Sequence, residues 1–477
     1  MNQELTQYLQ KQIAVTNDKL QTLTHDRGGK KYPSRYLFHK LQKFVNDFLH
    51  KHSENRWIII PGLRGVGKTT MLAQIIMDIQ KTHKGIDLLF VSLDEAVELL
   101  KVGLKDVLDA YEQILGVSYE KLKKPVFIVI DEVQTDPAWA GILKVLYGKT
   151  KNVFIVCSGS SAVSLQMSAD SARRAILEKL YPMSFSEYEM VRNKIVPTVD
   201  LAEKIKKSIY FSSSANEAYE KLKMLEGQVN KYWSKVDRMD IKRYLMTGTL
   251  PFALTLEEEA QIFNSISLLI DKVIDKDIRS LSRFDTKTLA TIKRLTLLLA
   301  ESDAISLSKL EQLLYINRLT IAEILDVLEK AELLIKVPAH GANITVVRKP
   351  AKYLFMSPAI RMALFSIAGI EGTLLSRQGR LLEDAVASHF HKEFLSKGAG
   401  SLSYDSSEGG ADFIFRIANK IQIAVEVGMG KKKAKQVAKT MKNIKCDYGI
   451  VISQEGLGLD KTDANILMVP LDYFLLM

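Results

Sequence analysis

Gly62-Leu-Arg-Gly-Val-Gly67-Lys68-Thr69-Thr70 decides the reading of this 477-residue chain. It fits the phosphate-binding loop pattern G-x-x-x-x-G-K-[ST] at every fixed position. Ahead of it, Trp57-Ile58-Ile59-Ile60-Pro61 reads as a short buried strand; behind it, Met71-Leu-Ala-Gln-Ile-Ile-Met-Asp-Ile reads as an apolar helix. Glycines let the backbone turn tightly and aim consecutive N–H groups at one point, and the helix adds its positive end. The expected phosphate-holding set is Gly62, Gly65, Val66, Gly67, Lys68, Thr69 and Thr70. Lys68 is placed to reach the β- and γ-phosphates, and Thr69 to ligate magnesium.

A phosphate loop needs a partner that holds the metal and activates water. Val126-Phe-Ile-Val-Ile-Asp131-Glu132 supplies one: a continuous apolar run suits a central parallel strand buried on both faces, and the carboxylates appear where it emerges. Asp131 is expected in the magnesium shell and Glu132 beside the attacking water. The next strand ends in Cys157-Ser158-Gly-Ser160-Ser161. Ser158 there can sense the γ-phosphate; Ser-Ser is equally a common helix cap. Arg173 and Arg174 follow, and an arginine can stabilise a transferring phosphoryl group in cis or in trans, or be an exposed basic pair with no such task.

Working outward, residues 1–55 read as a polar helical segment, 56–185 as alternating strands and helices, and 186–285 as a charged helical region. Residues 286–365 show three short helical patterns, then strand-like runs near Ile335 and at Ile344–Val347, the order of a winged helix; 377–477 return to mixed α/β. Two cysteines, Cys157 and Cys446, leave no disulfide framework or cysteine zinc site and suit a reducing cytoplasm, the expected location. The N-terminus lacks a signal-peptide core, and no uncharged apolar run spans a bilayer, so no membrane partner is expected. A net charge of +11 admits a polyanionic partner, nucleic acid first, and equally fits a mildly basic cytosolic protein.

The phosphate loop, Val-Ile-Asp131-Glu132-Val-Gln, Cys-Ser-Gly-Ser-Ser and Leu180-Tyr-Pro182-Met-Ser184-Phe185-Ser-Glu187-Tyr together resemble the archaeal-type AAA-like ATPases, a prokaryotic group near the STAND and origin-recognition-type P-loop ATPases. Tyr244-Leu-Met-Thr-Gly248-Thr-Leu-Pro251 and Lys276-Asp277-Ile278 look like that family's lid, and Arg174 falls where its arginine stands. The resemblance implies an α/β chain: a P-loop AAA-like parallel sheet (56–185) with a helical lid (186–285), a winged helix (286–365) and a C-terminal restriction-endonuclease-like α/β domain (377–477). ATP and Mg2+ are the cofactors it implies, and a trans arginine would imply a homo-oligomer.

The third helix of the 286–365 region presents Glu323, Asp326, Glu329 and Glu332 outward, with Arg318 and Lys330 at its ends. Such a face repels a phosphate backbone, which favours packing on the ATPase core over DNA reading. In the last domain Glu383, Asp412 and Glu426 match the acidic positions of endonuclease-like cores, a second metal site by that resemblance. Gly428 stands where a lysine is expected, with Lys431, Lys432 or Lys433 as distant substitutes, so a domain kept for binding is favoured over one that cleaves. Lys431, Lys432, Lys433, Lys435, Lys439, Lys442 and Lys445 form a run with no acid; 432, 435, 439 and 442 recur at helical spacing, a stripe suited to a DNA backbone or a solvated face. The expected activity is ATP hydrolysis by a switch or remodeller associated with DNA; the alternatives are a nucleotide-gated endonuclease and a nucleotide-bound scaffold that does not hydrolyse.

Overall fold

The computed structural model describes residues 3–160, 167, 169–282, 284–302, 304–341, 349–369, 374–418, 421–430 and 434–477. Met1–Tyr181 and Pro182–Met477 form two compact units.

The first unit is built on five strands: β1 Trp57–Pro61, β2 Asp87–Ser92, β3 Val126–Asp131, β4 Val153–Gly159 and β5 Ile176–Leu177. They pair in the order β2-β3-β4-β1-β5, all parallel. Every residue of β1, β3 and β4 is buried, because helices cover both faces. On one face Trp57, Ile59, Ile128, Ile130 and Ile155 join a core with Leu5 and Leu9 of the helix Gln3–Ala14 and with Leu143 of the helix Trp139–Lys149. On the other, Phe127 and Phe154 meet Phe48 of the helix Tyr36–Lys51 at ring distances of 5.7 and 5.2 Å. Truncating one of these central side chains, such as Ile128→Ala, costs about 2–5 kcal/mol. β5 went unseen in the sequence because two residues carry no periodicity.

The order has one consequence for function. β4 lies between β1 and β3, so the loops leaving β1, β3 and β4 open side by side at one edge of the sheet. Ile60 pairs with Ser158 and Ile130 with Cys157, which brings Asp131 and Ser158 to the same level as the start of the phosphate loop.

The second unit starts with helices and contains two more sheets. One is a three-stranded antiparallel sheet, β6 Ala304–Ile305, β7 Leu334–Val337 and β8 Ala351–Phe355, in the order β6-β8-β7. The helices Thr286–Glu301, Leu307–Leu314 and Arg318–Lys330 accompany it. The expected strand at 344–347 lies outside the described residues; β8 follows it. Glu332, expected on the outer helix face, is 6% exposed: the chain turns at φ 57° and brings its carboxylate within 3.5 Å of His391 Nε2. The two terminal cations of that helix are engaged locally, Arg318 by Glu311 at 2.6 Å and Lys330 by Asp326 at 2.7 Å.

The other sheet has six strands, β9 Gly400–Ser403, β10 Phe413–Ile417, β11 Ile421–Val427, β12 Tyr448–Ser453, β13 Gly458–Leu459 and β14 Ile466–Pro470, in the order β13-β14-β12-β11-β10-β9. β11, β12 and β14 are parallel and the rest antiparallel. The helix Lys435–Asn443 lies on this sheet through Val437, where Gly449 admits it: a Cβ at Gly449 would stand 2.2 Å from a Val437 methyl. No helix among the described residues is long and apolar enough to cross a membrane.

Candidate functional site

The loop after β1 turns through left-handed glycines, Gly65 at φ 79° and Gly67 at φ 89°, a conformation that favours residues without a Cβ. Gly62 is needed for another reason: a Cβ there would lie 2.3 Å from the Leu180 carbonyl oxygen. The helix Lys68–Thr82 starts immediately, and its first bond runs from Met71 N–H to the Gly67 carbonyl. The amides before Met71 thus belong to the positive end of the helix. Lys68 is buried and its Nζ runs back along the loop, donating to the carbonyls of Gly62 at 2.9 Å and Leu63 at 3.1 Å. Val66 is fully buried, and its carbonyl accepts from Arg35 Nη1 at 2.7 Å while Arg35 Nη2 reaches the Tyr181 carbonyl at 2.8 Å. Arg35 is a residue that motif reading passed over; only a lone arginine ahead of an amphipathic helix hints at it.

Asp131 is 3% exposed at the end of β3. Its Oδ2 accepts from Thr69 Oγ1 at 2.5 Å, and its Oδ1 accepts from Ser158 Oγ and from the Glu132 amide at 3.1 Å. Burial pushes the Asp131 carboxyl above its usual range, against the hydrogen bonds of Ser158 and Thr69, which pull it down. The Ser158 hydroxyl, fully buried, is thus directed at Asp131, so its visible work is to orient that carboxylate.

Glu132 takes a left-handed backbone, φ 54°, unusual for a residue with a Cβ. That turn aims its side chain at two neighbours: Oε2 accepts from Gln134 Nε2 at 2.5 Å, and Oε1 lies 3.5 Å from Arg64 Nη1 in the phosphate loop. Arg174 is placed differently. It precedes β5, whose Ile176 pairs with Ile58 near the start of β1, and its guanidinium approaches Gly148 at the end of the helix Trp139–Lys149. Arg174 therefore stands toward the start of the strands, whereas the phosphate loop leaves β1 at its far end.

The C-terminal acidic residues come together in part. Phe413 pairs with Val425, so Asp412 and Glu426 continue the register as neighbours on one face. Glu426 is fully buried, Asp412 Oδ2 accepts from the Val427 amide at 2.9 Å, and Glu383 comes from the helix Leu374–Glu393. Lys352 of β8 reaches Glu383 and Asp412 at 3.9 and 3.7 Å. Among the described residues no group of three or more His, Cys, Asp or Glu is gathered to hold a metal ion. Lys431, Lys432 and Lys433 lie outside the described residues; Lys435, Lys439, Lys442 and Lys445 are exposed.

A parallel five-strand sheet carrying a phosphate loop after β1 and an aspartate at the end of β3 defines an AAA-type P-loop domain, and the AAA domain family matches residues 54–189. A domain of unknown function, DUF8612, matches residues 238–371. The chain belongs to the family of the uncharacterized protein MJ1637 of Methanocaldococcus jannaschii, to which it is 35% identical over 476 residues, 99% of this chain and 94% of that one. A second protein of that organism, the uncharacterized MJ1544, is 26% identical over 172 residues, 35% of this chain and 37% of its own. Among solved structures, Aeropyrum pernix ORC1 in complex with DNA matches at TM-score 0.32 and 12% identity, over 70% of this chain and 93% of that one. AMPPCP-bound DnaA from Aquifex aeolicus matches at TM-score 0.26 and 16% identity, over 61% and 87%. Scores this low say nothing of what the present chain binds.

Proposed function

We propose that the protein binds ATP with Mg2+ and hydrolyses it, working as a switch or remodeller associated with DNA. The observation that carries this reading is the hydrogen bond between Thr69 and Asp131, which joins the phosphate loop to the end of β3. A hydroxyl and a carboxylate at that spacing are hard oxygen donors of the kind magnesium takes. Gly62, Gly65, Val66, Gly67, Lys68, Thr69 and Thr70 would hold the phosphates, and Thr69 and Asp131 the metal. Bound there, the metal would draw charge from the phosphate oxygens. Lys68 has only to swing from its loop carbonyls to reach a phosphate. Glu132 orients the attacking water and takes its proton. Ser158 acts by holding Asp131. Arg174 lies toward the end of the strands opposite the phosphate loop, which favours a role in trans and hence a homo-oligomer.

The domain boundaries proposed for this activity are 1–55, 56–185, 186–285, 286–365 and 377–477. Three helices, with β6 between the first two and β7 and β8 after the third, support a winged helix in 286–365, and the six-stranded mixed sheet with a helix on it supports an endonuclease-like fold in 377–477. DNA contact is assigned to the lysine-rich helix: Lys435, Lys439, Lys442 and Lys461 line a groove of about 1020 Å³, with Glu408, Glu455 and Asp460 also at its walls. The contact is expected to weaken with salt.

The test is steady-state ATP hydrolysis with magnesium, with and without duplex DNA, comparing wild type with Lys68→Ala and Glu132→Gln. Turnover that DNA stimulates and both substitutions abolish supports the proposal. Turnover indifferent to DNA removes the DNA association. ATP bound with no turnover above Lys68→Ala leaves a nucleotide-bound scaffold.

A further inference from the structure

The acidic centre of the C-terminal unit contains a positive charge of its own. Lys352 Nζ lies 3.9 Å from Glu383 Oε2 and 3.7 Å from Asp412 Oδ1, nearly midway between two carboxylates from different elements. It also stands over the Tyr404 ring at 5.2 Å. The side chains of Lys352, Glu383 and Asp412 are only 14, 18 and 15% exposed, so their attraction is weakly screened.

The position is held from the backbone. Lys352 sits on the central strand of the three-stranded sheet, facing Ala304 on β6 and Val337 on β7. Paired on both sides, it cannot slide in register without turning its side chain to the other face. Asp412 is held as firmly through the Val427 amide, and the fully buried Glu426 lies across from it. Two acidic side chains, Glu383 and Asp412, thus meet where water is scarce, and the ammonium enters from a separate sheet.

We propose that Lys352 is the resident cation of this centre: it takes the place a divalent metal would hold, and a metal binds Glu383 and Asp412 only when that charge is removed. A dication and an ammonium at this spacing would repel each other strongly. The inference is independent of the ATPase reading. It gives the C-terminal domain a metal-free ground state and makes β8 part of its charge balance.

The test is Mn2+ binding to the full chain without nucleotide, by calorimetry and electron paramagnetic resonance. An Asp131→Asn background keeps the proposed nucleotide site silent. The starting protein and Lys352→Arg are expected to bind no Mn2+ at this centre. Lys352→Met is expected to gain one Mn2+, and adding Asp412→Asn to weaken it by about tenfold or more. Should Lys352→Met fail to fold alone, recovery with Mn2+ that Asp412→Asn blocks would support the proposal; no recovery would overturn it. It is equally overturned if Lys352→Met folds and gains no Mn2+, or if the starting protein already holds a Mn2+ that Asp412→Asn releases.

Discussion

The Thr69 hydroxyl donates to Asp131 Oδ2 at 2.5 Å, across 62 positions of sequence. Ser158, from the strand lying between β1 and β3, donates to the other oxygen of the same carboxylate. The start of the helix Lys68–Thr82 and the end of β4 therefore converge on one buried acid at the end of β3. Neither hydroxyl can be moved without leaving Asp131 short of a donor in a place that water does not reach.

This arrangement predicts a conflict between stability and function at Asp131. Its carboxyl is raised above the ordinary value, chiefly by burial, so the folded state holds a proton that the unfolded chain releases. Stability falls as pH rises from the unfolded value through the raised one, and the loss is complete above it. Asp131→Asn should melt higher than wild type at pH 8, with the gain vanishing in acid. It should also lose the part of the Mg-ATP rise in Tm that magnesium adds in wild type. Thermal scans at both pH values, with and without Mg-ATP, check both halves.

Arg64 and Gln134 hold the two oxygens of Glu132. Arg64→Ala should lower kcat by about tenfold or more through misplacement of the base. Arg64→Lys should recover part of it, because a charge is kept but the fork is lost. Adding Arg64→Ala to Glu132→Gln should cost little more than Glu132→Gln alone. Single-turnover kinetics at saturating ATP measures each.

Much of the first unit was legible because its strands are unbroken apolar runs and its loop has fixed spacing. Trp57–Pro61 and Val126–Asp131 announce themselves as central strands, and the loop signature leads straight to Lys68 and Thr69. What stayed hidden depends on partners far away in sequence. Arg35 finds Tyr181 across 146 positions, and Ser158 finds Asp131 across 27. The end of the strands at which Arg174 falls follows from how β5 pairs with β1, which two residues cannot reveal. Glu332 fits the helical period of an outer face, but the helix has ended before it and a left-handed turn buries it.

Glu189, fully buried in the helix Phe185–Asn193, is raised to about 7 by burial first, with the nearby Asp240 adding to it. Asn193 Nδ2 bridges Glu189 and Asp240 at 2.9 Å each, while Arg192 pulls the other way. The folded state again holds the extra proton, so stability falls as pH rises from about 4.5 to about 7. Glu189→Gln should therefore stabilise the protein above pH 7, by on the order of 1–3 kcal/mol, and have little effect below pH 4.5. Urea unfolding across that range checks the slope.

Arg361 and Asp384 form a fully buried ion pair, with Arg361 Nε 2.6 Å and Nη2 2.8 Å from the carboxylate. Arg361 also donates to the Ala300 carbonyl at 2.7 Å, and Asp384 accepts from the Phe355 amide at 2.8 Å. Removing either partner alone should cost about 3–5 kcal/mol, since it strands the other charge away from water. Arg361→Met with Asp384→Leu should cost clearly less than the sum of the two. A double-mutant cycle in denaturant measures the coupling.

The most direct test of the central claim is equilibrium binding of ATP to the full chain, with and without magnesium, in wild type, Lys68→Ala and Asp131→Asn. Wild type should bind ATP, and more tightly with magnesium. Lys68→Ala should lose affinity under both conditions, and Asp131→Asn should lose only the gain from magnesium. Wild-type affinity in Lys68→Ala, or a magnesium effect intact in Asp131→Asn, would contradict the account.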